Sequence, residues 1–348
     1  MRIVVNDIAA STGGAMTVLR DFYNAVCKYG GENEWIFLLG DRYFEETDNV
    51  KIVILPEIKK SRIKKLVFDF FTGRRFIEKL NPDAVFSLQN IIIFGLKVPQ
   101  TVYIHQSIPF QAVKRFSFLK PSERNLAVIQ HLIGKIIKLS AKKSDRIIVQ
   151  TQWMKDAVCS ICGIDEFKVY TAFPSVDSAR AAGGESFDRN TFFYPTADEI
   201  YKNNDCIYKA SGILENKGID HHITLTLPSE RSTDRITCTG RLLYDEVMGR
   251  YCTSTLIFPS YIETFGYPLA EARMVGAIVL ASDTPFSREV LDGYENAYFF
   301  DPFEPQQLAD LMEKVALGEI EKLDVADCKC ERGDSWAQVI DFVLETIN

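Results

Sequence analysis

The stretch SYIETFGYPLAEA, residues 260–272, sets two carboxylates, Glu263 and Glu271, on either side of seven uncharged residues that include Gly266 and Pro268. Pro268 has no amide donor and its φ is pre-set for the first helical position, so a helix is expected to start there, with Gly266 and Tyr267 just ahead of it. The backbone N–H groups of Phe265, Gly266, Tyr267 and Leu269, with the positive end of that helix, make an anion site suited to phosphate. Glu263 is expected in the loop after the apolar run STLIFPS, and Glu271 within the first helical turn, where the dipole stabilises an ionised carboxylate. Both read as ionised acceptors. An ionised carboxylate beside a diphosphate is repulsive unless it accepts from hydroxyls, so the pair reads as two clamps on polyols. Glu271 would take ribose hydroxyls, as an acidic residue does in dinucleotide sites, and Glu263 the hydroxyls of a sugar ring. A nucleoside diphosphate sugar has that shape. Two glutamates eight positions apart occur by chance, and only the strand, loop and helix around them make the pattern specific.

Such a site needs rigid elements behind it. The runs RIVVNDI, WIFLL, KIVIL, DAVFSL, TVYIHQ, RIIVQT and KVYTAF are nearly continuous apolar strands, as in a parallel sheet covered on both faces. Between them, residues 15–29, 63–80, 122–143 and 152–162 have helical periodicity. The rhythm resumes with strands TFFYPTA, ITLTL, ITCTG, STLIFPS, AIVLAS and AYFFDP and helices over 203–214, 244–252, 268–275 and 305–317, and a last helix spans 336–347. This predicts an α/β chain of two Rossmann-like units with ligands at the C-terminal ends of the strands. The segment PSVDSARAAGGESFDRN, 174–190, has no large apolar period and reads as the linker. A length of 348 residues suits two domains, and two domains imply a cleft.

Charge is divided unevenly. Residues 1–172 hold 25 Lys and Arg against 17 Asp and Glu, and the remainder 15 against 30, giving +8 and −15 within a net −7. Residues 59–146 alone carry 18 basic and 5 acidic side chains. The run KKSRIKK and the Lys and Arg of 114–143, interleaved with Phe116, Phe118, Leu119, Ile133, Ile136 and Ile137, suit an anionic membrane surface. A pI near 5.3 argues against nucleic acid. No apolar run approaches the roughly 20 residues that span a bilayer, and MRIVVNDIAAS reads as a strand instead of a secretory signal, so a cytosolic location is expected. There the eight cysteines are expected as thiols. Cys159 and Cys162 with Cys328 and Cys330 have zinc-like spacing on paper, but CSIC falls in a helical pattern and the two pairs in different units, so inert thiols are the better reading.

The region from LIFPSYIETFGYPLAEA through GAIVLASD, SREVL and AYFFDP resembles the signature region of family-four glycosyltransferases of the GT-B fold, whose E-x7-E motif falls on Glu263 and Glu271. TGRLLYDEVMGRYCTS, FFYPTADEIYKNND, STGGAM and VYIHQSIPF resemble further segments of that family, so nearly the whole chain is covered. The resemblance implies GT-B architecture: an acceptor-binding domain over 1–173, a donor-binding domain over 191–330, and a C-terminal helix in 331–348 packing back toward the first domain. It implies transfer of a sugar from a nucleotide donor with retention of configuration and without a metal. It places Lys202, with Asn203 beside it, at the donor phosphates, His105 near the donor sugar, and Gly13 and Gly14 in an N-terminal glycine loop. Contacts to the base are expected from the loop around Gly240 and Arg241. The family's Arg partner for the lysine is missing here, since the loop reads PTADEIY. Lys217 and Gly218 imitate the family's Lys-Gly but follow a helix, so Lys202 ranks higher. The chain has no D-x-D for a diphosphate-bridging metal. The other histidines suit structural hydrogen bonding: His131 in a helix, His221 and His222 in a turn.

The expectation is therefore a hexosyltransferase whose acceptor is a glycan or polyprenyl-diphosphate-linked saccharide in capsule or O-antigen assembly, with the protein resting on the inner membrane face. A nucleotide-sugar epimerase on the same scaffold and a noncatalytic nucleotide-sugar-binding subunit are the rivals.

Overall fold

The predicted strands all form, in two separate parallel sheets. The computed structural model describes residues 1–10, 13–174, 176, 186–325 and 335–347. The first sheet contains β1 (Arg2–Asp7), β2 (Glu34–Leu39), β3 (Val50–Ile54), β4 (Ala84–Ser87), β5 (Gln100–Ile104), β6 (Arg146–Val149) and β7 (Val169–Thr171), in the order β3-β2-β1-β4-β5-β6-β7. The second contains β8 (Thr191–Tyr194), β9 (His222–Leu225), β10 (Ile236–Cys238), β11 (Thr255–Phe258), β12 (Val279–Ser282) and β13 (Ala297–Phe300), in the order β10-β9-β8-β11-β12-β13. In each, the chain starts mid-sheet, builds to one edge, then returns to build the other. The strands flanking that reversal, β1 with β4 and β8 with β11, mark the point where ligands bind in such sheets.

The helices are α1 (Gly13–Tyr29), α2 (Pro56–Lys59), α3 (Arg62–Val67), α4 (Gly73–Glu78), α5 (Arg124–Val128), α6 (Gly134–Lys143), α7 (Gln152–Cys162), α8 (Asn204–Asn216), α9 (Tyr244–Thr253), α10 (Tyr267–Met274), α11 (Pro285–Val290), α12 (Pro305–Ala316) and α13 (Ser335–Leu344). The helices expected over 63–80 and 122–143 are each interrupted by a π turn, at Phe68–Thr72 and Ile129–Ile133. Periodicity over a long window does not register the one extra residue that a π turn inserts. Residue chemistry fixes several ends. Pro305 occupies the first turn of α12, where a missing N–H costs nothing, and Gly163 ends α7 at φ 64°, a left-handed position that a side chain resists.

Two compact units result: Met1–Pro174 with Gly333–Asn348, and Ser175–Arg332. In the first, Phe22 and Val26 of α1 pack on Val5, Phe37 and Phe86, and Trp336, Val339, Ile340 and Val343 of α13 complete that layer. The opposite face is covered by two further apolar clusters. Phe68 and Ile77 pack over Val4 and Val85, and Ile137, Met154 and Val158 over Val102, Ile104 and Ile147. In the second unit the central strands β11 and β12 are buried along their whole length, and Phe192, Phe193, Leu256, Ile257, Val279 and Leu280 are fully enclosed. The segment expected as linker lies largely outside the described residues; its last part is anchored where the Asp188 N–H donates to the Thr253 carbonyl at 2.9 Å.

Candidate active site

The reversal point of the second sheet gathers most of the expected site residues. After β8 the chain makes a single 3-10 turn, Ile200–Lys202, and Asn203 then takes a left-handed conformation (φ 58°) to start α8. After β11, Ser260 and Glu263 sit opposite. Lys202 Nζ donates to Glu263 Oε1 at 2.7 Å, and Ser260 Oγ donates to the same oxygen at 2.7 Å. Burial pulls the Lys202 ammonium down, but the Glu263 carboxylate outweighs it and holds the group above its ordinary value. Glu263 is thus more than an isolated sugar acceptor: it is half of an ion pair that ties β8 to β11.

Asn203 is also committed. Its Nδ2 donates to the carbonyls of Pro259 (3.2 Å) and Pro302 (2.7 Å), so its amide braces the loops and is not aimed at a substrate. Thr226 Oγ1 accepts from the Thr196 N–H at 2.6 Å and Asn204 Nδ2 donates to Ala197 at 2.8 Å, fixing the loop that precedes Lys202. A depression of about 620 Å³ opens beside Lys202, lined by Thr196, Asp198, Leu227, Arg241 and Leu242 among others. Gly240 has φ 71°, and its N–H donates to Leu227 at 2.8 Å, which sets the backbone from which the exposed Arg241 extends. Among the described residues Arg241 has no carboxylate within ion-pair reach, whereas Arg231 nearby is engaged with Asp198 at 2.9 Å. Lys217 pairs with Asp310 and Glu313 on α12, well occupied elsewhere.

Helix α10 begins at Tyr267, with Pro268 in its first turn, and Gly266 caps it at φ 88°. A Cβ at Gly266 would meet Leu269 Cδ1 at 3.2 Å, so both conformation and space favour glycine. Within the described residues no hydrogen bond uses the N–H of Phe265 or Gly266. Leu269 was expected to offer a free N–H as well, and does not: it donates to the Gly266 carbonyl at 2.9 Å. The Phe265 ring is buried against Tyr267, 5.3 Å between centroids. Glu271 is in the second turn, not the first, because the helix has no acidic residue in its first turn. It therefore gains little from the dipole; burial raises its carboxyl above the ordinary range, and the Tyr251 hydroxyl, donating to Oε2 at 3.0 Å, opposes that. The expectation of a Glu271 placed in the first turn and stabilised there by the dipole is corrected accordingly. Ser260 and Tyr251 were not singled out by sequence: one serine before a glutamate and one tyrosine in a helix carry no signal until the fold sets them beside the two acids.

The remaining expected residues lie in the first unit. The Asn90 Oδ1 accepts from the N–H groups of His105 (2.8 Å) and Gln106 (3.0 Å), which turns the Asn90 amide nitrogen toward His105 Nε2 at 3.0 Å. The imidazole proton is then on Nδ1, which is enclosed and has no partner. Burial lowers the ring's pKa to about 4, so His105 is a neutral donor. Gly13 and Gly14 open α1, which starts two residues ahead of expectation; a Cβ at Gly14 would meet nothing within 4 Å, so space does not demand glycine there. Ser11 and Thr12 of the same motif lie outside the described residues. At this unit's own reversal point, Asn6 and Ser87 are register partners whose side-chain polar atoms are buried without partners. Burial pushes Asp7 up to about 7 and Asp69 to about 6, against the nearby Lys65 ammonium.

His221 bonds Ser211 at 2.8 Å, His131 the Phe116 carbonyl at 3.1 Å, and His222 opens β9 instead of lying in the turn. Cys159 and Cys162 are free thiols of α7, while Cys328 and Cys330 lie outside the described residues. Among the described residues no group of three or more His, Cys, Asp or Glu could hold a metal ion, and no helix is long and apolar enough to cross a membrane.

Two separate α/β units, each built on one parallel sheet with its reversal point, make a GT-B architecture. The family model described as Glycosyltransferase Family 4 matches residues 12–180, and that described as Glycosyl transferases group 1 matches residues 229–327. The chain is 23% identical over 270 residues to the O-antigen chain mannosyltransferase RfbU of Salmonella typhimurium, covering 72% of each. It is 33% identical over 104 residues to the serotype-specific mannosyltransferase WbdA of Escherichia coli, which is 30% of this chain and 12% of that one. Among solved structures, sucrose-phosphate synthase from Thermosynechococcus elongatus superposes with a TM-score of 0.66 at 13% identity, covering 99% of this chain and 96% of the other. The UDP-GlcNAc 2-epimerase of Methanocaldococcus jannaschii does so at 0.56 and 12%, covering 99% of both. The GT-B fold is borne out by these structures, and the two family models that match different parts of the chain are both glycosyltransferase models.

Proposed function

We propose that this chain is a retaining, metal-independent hexosyltransferase that moves a sugar from a nucleoside diphosphate donor to a lipid-linked saccharide in surface polysaccharide assembly. The Lys202–Glu263 pair carries the reading: an ammonium and a carboxylate joined at 2.7 Å, about one fifth exposed each, at the reversal point of the second sheet and beside a depression large enough for a nucleotide. A diphosphate leaving group gains negative charge as the glycosidic bond breaks, and preorganised donors aimed at that charge supply most of such catalysis. Lys202, the Phe265 and Gly266 N–H groups and the uncommitted Arg241 guanidinium are those donors. Arg241 supplies the second cation that the loop PTADEIY lacks. Glu263 orients Lys202 in the free enzyme and takes sugar hydroxyls when the phosphates draw the ammonium away; Glu271 accepts from ribose. Among the described residues the hydrogen-bond partners of Glu263 are Lys202 and Ser260, neither of them a base, and the departing phosphate oxygen takes the acceptor's proton on the face it leaves. The mannosyltransferase names of the two relatives make GDP-mannose the first donor to try. The test is calorimetric titration with nucleoside diphosphate sugars with and without chelator, followed by transfer assays on Lys202→Met and Glu263→Gln: donor bound without metal and turnover lost in both supports the reading, and full turnover in both refutes it.

A second reading has one observation behind it. Asp7 and Asp69 are buried carboxylates raised toward neutrality, the acid and base pair an epimerase requires in its first unit. Incubating donor alone and finding its epimer would favour that reading.

A further inference from the structure

The first unit exposes an apolar stripe in its most basic region. Ile63, Val67 and Phe71 follow one another at four-residue spacing along α3 and into the π turn, with 74%, 42% and 73% of their surface exposed. In a continuous α-helix three such residues drift round the axis by about 40° per step. A π turn holds more residues per turn, so the step from Val67 to Phe71 falls back and the drift is largely cancelled. Phe71 is thereby brought into line over Ile63, while Phe68 and Asp69 are turned inward, Asp69 onto Lys65 at 2.7 Å.

A second helix repeats the arrangement. Leu132 in the other π turn and Leu139 in α6 are seven residues apart, hence on one face, and are 54% and 40% exposed. Both helical segments cover the same face of the first sheet. Val85 lies under α4, Val102 under α6, and Ser87, two residues on from Val85, is the register partner of Val102. Phe118 and the 88% exposed Leu119 extend the apolar surface in the loop before α5. The expected membrane-facing residues Phe116 and Ile137 are not part of it, both being core.

The charges around the stripe are mostly uncompensated. Glu57 engages Lys60 and Lys64, Glu78 engages Arg74, and the buried Glu123 engages Lys114 and Lys120. Arg62, Arg75, Lys135, Lys142 and Lys143 have no carboxylate within ion-pair reach among the described residues, and all are exposed. Large apolar side chains standing among unpaired cations are out of place on a surface that meets only water, and four of the five, Ile63, Val67, Leu132 and Leu139, are aliphatic and give nucleic-acid bases nothing to stack on. An anionic lipid leaflet satisfies both features, since acyl chains accept the apolar face and each nearby Lys or Arg adds attraction to the headgroups.

We propose that this helical face of the first unit docks on an anionic lipid leaflet, with Ile63, Val67, Phe71, Leu132 and Leu139 at headgroup depth and Arg62, Arg75 and Lys135 on the lipid phosphates. The surface deepens the reading of a lipid-linked acceptor and rests on it for its purpose, yet it is measurable without any transfer.

The test is co-sedimentation of the full chain with vesicles of phosphatidylcholine alone and of phosphatidylcholine with about one quarter phosphatidylglycerol. Binding is expected only on the anionic vesicles and is lost at about 0.5 M salt, where charges are screened within a few ångströms. The Ile63→Ser/Phe71→Ser variant should bind at least about tenfold more weakly, and Arg62→Glu/Lys135→Glu should not bind. Soluble-donor affinity, set in the second unit, should be unchanged in both. No binding to anionic vesicles, equal binding to neutral ones, or undiminished binding by the Ser variant would overturn the proposal, as would a polyanion such as heparin binding the Ser variant as tightly as the wild type binds vesicles. Vesicle binding by a chain that proves to have no transferase activity leaves the surface in place and removes the functional reading instead.

Discussion

Removing Lys202 tests the structure and the chemistry at once. Breaking a fully buried ion pair by deleting one partner costs about 3–5 kcal/mol, because the other charge is left unpaired. Here the two side chains keep 21% and 17% of their exposure, so water compensates in part. The cost of Lys202→Met is then about 2–3 kcal/mol, or a fall of about 5–10 °C in the unfolding of a unit this size. Ser260 still donates to Glu263, which limits the damage. The double variant Lys202→Met/Glu263→Gln removes both charges and should recover most of the loss, giving a coupling energy of about 1–3 kcal/mol in a double-mutant cycle. Activity should behave differently. Transfer falls about 10²- to 10³-fold in the single variant and does not return in the double one, since the leaving phosphate still lacks its ammonium. Thermal unfolding followed with and without donor, beside initial rates, provides both readouts. Additive stabilities, or activity that returns in the double variant, would refute the argument.

Tyr251→Phe deletes the hydroxyl that donates to Glu271, raises that carboxyl further and should weaken donor binding several-fold, visible as a higher donor KM with kcat little changed. Asn203→Ala loses two hydrogen bonds and strains a left-handed backbone, for about 2–3 kcal/mol, whereas Asn203→Gly relieves the strain and recovers about 1 kcal/mol by thermal unfolding. Asp7, whose pKa rises from 3.8 to about 7, binds more protons folded than unfolded across that window, so its contribution to stability declines as pH rises from about 4 to 7. Asp7→Asn should therefore stabilise the first unit at pH 8 and leave it unchanged near pH 4, read as the difference between the two denaturation profiles. That difference also cancels the opposing trend from His105, whose depressed pKa makes stability fall as pH drops from 6.5 toward 4.

Strands were easy to read because both faces of a parallel sheet are covered, which leaves an uninterrupted apolar signature such as WIFLL or STLIFPS. The helix that carries Glu271 was legible from Pro268 and Gly266 for the same kind of reason, a backbone demand that few residues meet. What the sequence hid was whatever depends on a neighbour distant in the chain. Lys202 and Glu263 are 61 residues apart, and nothing local announces that they form a pair. Asn203 looked like a ligand contact because it follows the lysine, but the two proline carbonyls that hold it lie 56 and 99 residues away. The π turns were invisible for another reason: one inserted residue shifts a helix face without altering composition, and it decided which of Phe68 and Phe71 faces inward.

The return of α13 to the first unit bears on how the protein is made. Trp336 stacks on Tyr103, 5.8 Å between centroids, and touches Phe22 at 5.6 Å, so one apolar layer of that unit is finished by residues synthesised after the whole of the second. During translation the earlier segment emerges with an oily groove lacking its lid, a form prone to sticking and attractive to chaperones. Maturation of the first unit is thus a late event, delayed until the ribosome has delivered the piece that closes it.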